Sequence, residues 1–126
     1  MVEKLTPNQV RQIELIQGFI RNVEHVKKLV GELEGSRAAR PVIINNICGA
    51  IARELSQMRQ RALSANVGTL ADTAGGLAVL ASRQGSGINF KLRALAEGVN
   101  SLMIQLDQSL KSASQIEKPD GEQAPS

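Results

Sequence analysis

"INFKLRALAEGVNSLMIQLDQSL" (residues 88–110) decides the fold. Its Ile88, Leu92, Leu95, Val99, Leu102, Leu106 and Leu110 stand four, three, four, three, four and four residues apart. That spacing lays a single apolar seam along an α-helix. A strand would need alternation at period two, and no run of four or more β-branched residues alternates that way in the chain. A long helix with one apolar seam must be covered by other elements, and the preceding sequence supplies three helices of the same kind.

Working back from Ile88, "RQGSG" (residues 83–87) breaks the periodicity with two glycines around a serine. Before it, Leu70, Ala74, Leu77 and Ala81 share one helical face, with Ala71 and Ala78 beside it. Thr69 is the expected N-cap of this third helix, and Asp72 is expected near its positive end. "SANVG" (residues 64–68) is a connection. The second helix opens with Pro41 at its first position and runs to about Leu63, carrying Ile44, Ile47, Cys48, Ile51, Leu55, Met58 and Ala62 on one stripe. The first helix opens on Thr6-Pro7-Asn8-Gln9, with Thr6 as N-cap, Pro7 at the first position and Gln9 closing a capping box. Its apolar face runs Val10, Ile13, Ile16, Phe19, Ile20, Val23, Val26, Val30 and Leu33, and Gly35 ends it. From Pro7 to Glu34 it would be roughly 40 Å long.

Four amphipathic helices joined by short connections predict an all-α, antiparallel up-down-up-down four-helix bundle with long first and last helices, spanning residues 1–115. Residues 116–126, ending in "EKPDGEQAPS", carry Pro, Gly and charge without apolar periodicity and are expected to be a disordered tail.

Composition narrows the function. Among 126 residues the only aromatics are Phe19 and Phe90, with no Tyr or Trp, which disfavours nucleic-acid modules built on stacking rings. Fifteen Lys and Arg against twelve Asp and Glu give a net charge of +3, but the two signs are interleaved. Nucleic-acid or anionic-surface binding through Arg and Lys of the second and fourth helices is therefore the weakest of the functional readings. The single Cys48 permits no internal disulfide, no apolar run approaches the roughly 20 residues of a membrane span, and "MVEKLTPNQ" lacks the blocks of a signal peptide. The expected location is cytoplasmic.

The third helix carries an anomaly. Gly75 and Gly76 are adjacent within it, although each glycine costs about 1 kcal/mol relative to alanine in a helix interior. The helical wheel places both on the side away from the apolar face, together with Asp72, Val79 and Arg83. Such a bald outward strip would let a partner approach the backbone closely, and these five residues are the candidate partner-binding surface.

A four-helix bundle bearing "ADTAGG" resembles the histidine-containing phosphotransfer domain of two-component signalling. In that family an exposed helix histidine accepts a phosphoryl group, a lysine three residues on assists it, and a glycine at the fourth position clears room for a receiver domain. Asp72 here stands where the histidine would be, Gly75 where the lysine would be, and Gly76 at the glycine. The resemblance implies retained docking geometry without phosphotransfer: a degenerate signalling or regulatory adaptor with a receiver-like or regulatory protein partner.

An alternative reading makes the protein an active phosphotransfer protein. The only histidine, His25 in "VEHVKKLV", lies opposite the apolar stripe and has Lys28 three residues on, but Leu29 occupies the family's glycine position. No metal and no cofactor are expected, because one His and one Cys on different helices make no local ligand motif. Cys48 reads as a small core residue. "RQGSGINFKLR", with Lys91 and Arg93, lacks Walker spacing and reads as a turn between helices. Phe90, Ala94 and Ile104 fall on the side of the last helix away from its seam and form a candidate homodimer surface. The sequence shows no catalytic constellation, and no enzymatic activity is expected.

Overall fold

The computed structural model describes residues 5–83 and 87–114. They form four helices, α1 (Pro7–Gly35), α2 (Pro41–Ser64), α3 (Gly68–Ser82) and α4 (Ile88–Ser114), and no strand among the described residues. This is the expected all-α four-helix bundle with long first and last helices. The tail expected from residue 116 onward lies outside the described residues.

Each helix packs on its sequence neighbours, and α4 closes the ring against α1. Cross-helix contacts fix the antiparallel sense. Gln9 Nε2 donates to the carbonyl of Ala113 at 3.5 Å, joining the start of α1 to the end of α4. Arg61 near the end of α2 reaches Asn22 of α1, and Lys91 at the start of α4 reaches the end of α3.

The core is aliphatic. Phe19, Val23, Val26 and Leu33 of α1 meet Ile51, Leu55, Met58 and Ala62 of α2, Leu70, Ala74 and Ala81 of α3, and Leu95, Val99, Leu102 and Leu106 of α4, all buried. Cys48 is buried with them, as its place on the α2 stripe requires. Val10, expected on the covered face of α1, is instead 41% exposed. It lies three residues inside the helix start, at the end of the bundle where α1 and α4 run on past the α2–α3 connection. There the inner surface opens into a cavity of about 780 Å³ rimmed by Gln12, Gln105, Gln108 and Ser112.

The helix starts follow the sequence in α1 and depart from it in α3. The Thr6 capping box is complete: the Gln9 amide N–H donates to Thr6 Oγ1 at 3.1 Å, and the Thr6 N–H donates to Gln9 Oε1 at 2.9 Å. Thr69, expected as the N-cap of α3, lies inside the helix; the cap is Val67, without a side-chain hydrogen bond. Asp72 therefore falls beyond the first turn and does not face the helix's positive end. The end of α2 sets this geometry. Asn66 adopts φ +61°, its N–H bonds the carbonyl of Leu63 at 3.1 Å, and the Val67 N–H bonds that of Ala62 at 2.8 Å. This is a Schellman motif with asparagine in the left-handed position, and it turns the chain so tightly that α3 starts at once.

Candidate functional site

The five residues of the predicted strip lie along one side of α3, whose opposite side is closed by Leu70, Ala71, Ala74, Leu77, Ala78 and Ala81. Asp72, Gly76, Val79 and Arg83 are exposed, Val79 to 57%. Nothing lies within 4 Å of the point where a Gly76 side chain would begin, so this glycine faces open space.

Gly75 is different, and the expectation that both glycines are open needs correcting. A Cβ on Gly75 would stand 2.9 Å from Arg59 Cδ and 3.1 Å from Nε, because the arginine stem crosses from α2 and lies over α3 at that point. Gly75 is accordingly half-buried. One glycine is a seat for a side chain of the bundle itself; the other is bare.

Together α2 and α3 enclose a shallow trough. Two depressions of about 480 Å³ each make it up, one lined by Arg59, Asp72, Gly75 and Gly76, the other by Arg53, Gln57, Gln60 and Ser82. Ser56, Ala78 and Val79 line both, so the two are continuous. The arginines of α2 could not be assigned to this surface from the α3 pattern alone; the usable signal was their place off the α2 stripe, on the flank that turned out to face α3.

His25 stands on the outer side of α1, with its side chain 54% exposed, as expected. What the sequence did not disclose is its partner. His25 Nδ1 is 3.0 Å from Glu54 Oε1 on α2, and Asn22 Nδ2 donates to the same oxygen at 3.1 Å. Arg61 donates to Asn22 Oδ1 at 2.7 Å while its guanidinium carbon lies 5.3 Å from the centre of the Phe19 ring. Burial by itself pushes the Glu54 carboxyl up, but the hydrogen bonds from His25 and Asn22 and the positive charges of His25 and Arg61 outweigh it, leaving the group below its ordinary value. An ionised Glu54 is acceptor-only, so Nδ1 is the nitrogen that donates in this contact, which leaves Nε2 facing away from it. Lys28 is exposed, and Leu29 is half-buried against the core.

Lys91 does not serve an anion site at the turn. It is 9% exposed, and its Nζ donates to the carbonyls of Ala81 at 3.3 Å and Arg83 at 2.8 Å, with Cys48 Sγ at 4.0 Å. These contacts cap the end of α3 from the next helix. Arg93 is exposed, and Ser86 of the turn lies outside the described residues. Phe90 and Ile104 are 61% and 59% exposed, and Ala94 between them is half-buried. No group of three or more potential metal ligands occurs among the described residues. None of the described helices is long and apolar enough to cross a membrane.

No protein-family model, no curated protein and no solved structure matches the chain. The geometry of these surfaces is therefore what bears on function.

Proposed function

We propose that the protein is a non-enzymatic docking module, a phosphotransfer-like signalling or regulatory adaptor whose partner-binding face is the outer side of α3. The observation that carries this reading is Gly76, which keeps open space over the backbone beside exposed Asp72 and Val79 on the side of α3 away from its buried face. Asp72 and Arg83 offer charge at the two ends of the strip, and Gly75 contributes through the arginine it seats. A protein partner in the cytoplasm is the proposed setting. Exposed Phe90 and Ile104, with Ala94, are proposed as a self-association face.

Partner capture from the source cell, quantified for the wild type and for Gly76→Arg, tests the docking face. The variant is expected to keep its helical circular dichroism and lose the captured proteins. An unchanged captured set would remove α3 as the docking face.

The His25–Glu54 pair favours a second reading, phosphotransfer through His25. A carboxylate holding Nδ1–H leaves Nε2 as the nucleophilic nitrogen on an exposed ring, with Lys28 one turn away. Incubation with a small phosphodonor would then label the protein with acid-labile, base-stable phosphate, absent in His25→Gln. No label at His25 would end this reading.

A further inference from the structure

We propose that the occupant of the α2–α3 trough is an acidic amphipathic helix of a protein partner, held by Arg53 and Arg59; this rests on the docking reading above and names the chemistry of its partner. The trough is an open furrow between two antiparallel helices, the shape into which a third helix lays its side chains. Its floor is small where the two depressions join: Ser56 from α2 and Ala78 from α3, with exposed Val79 as an apolar ridge.

Its charge is lopsided. Arg53 and Arg59 line it against the single carboxylate of Asp72, a balance of two minus one, or +1, and exposed Arg83 at the end of α3 raises it to +2. No ion pair among the described residues engages any of these four; the two that occur join His25 to Glu54 and Arg37 to Glu34. Both trough arginines are nevertheless placed by the fold. Gly75 lets the Arg59 stem lie across α3, and the Arg53 guanidinium lies back over Gly49, 3.5 Å from where a Cβ would be. Arg53 and Arg59 are three residues either side of Ser56, hence one turn above and one below the shared floor and about 9 Å apart along the axis. That is the spacing of their backbone positions; from these origins both flexible heads can reach carboxylates about two turns, or about 10 Å, apart on a partner helix. An apolar ridge between them would meet Val79 and the space over Gly76.

The test uses the full chain and a fluorescein-labelled amphipathic peptide of about four helical turns with a Leu/Ala ridge, carrying glutamates two turns apart, and its glutamine and lysine versions. The glutamate version is expected to bind at least tenfold tighter than the glutamine version, to lose that margin on Arg59→Glu, and to cede preference to the lysine version on Arg53→Glu/Arg59→Glu. If glutamate and glutamine versions bind equally and Gly76→Arg abolishes both, the acidic-partner inference fails while the docking face stands. Glutamate-peptide binding that survives both Gly76→Arg and the double reversal overturns the trough and the docking face together. Displacement of the peptide by duplex DNA at equal charge concentration, or no binding of any peptide, overturns the acidic-helix inference.

Discussion

At the scale of single residues, the two adjacent glycines separate into different roles, and substitution should tell them apart. Gly76→Ala adds a methyl to open space and removes the backbone freedom of an interior helical glycine, so it should stabilise the fold by about 0.5–1 kcal/mol. Gly75→Ala gains the same propensity but forces the Arg59 stem away. Thermal denaturation should therefore show a clear rise in Tm for the first and a smaller rise, or a fall, for the second; equal rises would mean that the Arg59 seat carries no energy. The wheel could place Gly75 on the far side of α3 from its apolar face. It could not show that an arginine sixteen positions earlier crosses that side, because the crossing depends on how α2 and α3 pack. Glu54 was hidden for the same reason: it is far from His25 in sequence, and only the antiparallel pairing of α1 with α2 brings them to 3.0 Å. A carboxyl held below its ordinary value stabilises the folded state above the unfolded carboxylate range, and that contribution fades as pH falls through the folded value. The stability difference between wild type and Glu54→Gln should be present above the unfolded carboxylate range, at about 1 kcal/mol or less with the His25 side chain 54% exposed, and should shrink as pH falls through that range. A difference that grows as pH falls through the carboxylate range would show that the pair does not favour the ionised carboxylate.

At the scale of elements, the ends of the helices were legible wherever side chains do the capping. Thr6→Ala removes one half of a reciprocal pair and should destabilise the protein by about 1 kcal/mol in urea titration. The start of α3 was not legible, because the backbone of a Schellman motif determines it, and Asn66 in the left-handed region is a subtler sign than a threonine before a helix. Asn66→Gly should be neutral to stabilising and Asn66→Ala destabilising, since alanine is disfavoured at positive φ. The end of α3 depends on Lys91, a residue of α4. Lys91→Met keeps much of the volume but deprives two carbonyls of their donor, and should lower stability by about 1–3 kcal/mol. Hydrogen exchange should quicken first in the last turn of α3; protection unchanged there would show that the carbonyls find other partners.

At the scale of the molecule, three seams were enough to define the bundle, since α1, α2 and α4 each carry an apolar stripe along their length and α3 is almost wholly apolar on its inner side. The proposed self-association belongs to a different surface, the outer side of α4. Sedimentation of Phe90→Glu/Ile104→Glu should give a monomer where the wild type shows a concentration-dependent rise in mass; identical profiles would remove that face. The Lys91 cap also has a consequence in time. With 15 residues, α3 is about as short as a helix can be and persist on its own, and its final carbonyls wait on a side chain that is synthesised eight residues after Arg83. A nascent chain that has emerged only as far as the turn can pair α1 with α2, and Ser82 Oγ can serve the carbonyls of Ala78 and Val79, but those of Ala81 and Arg83 still lack their lysine donor. The Arg83 end of the surface that begins at Asp72 is thus fixed only when Lys91 arrives, and a ribosome stalled before residue 91 should hold a chain whose α3 frays at Ala81 to Arg83 more than in the full protein.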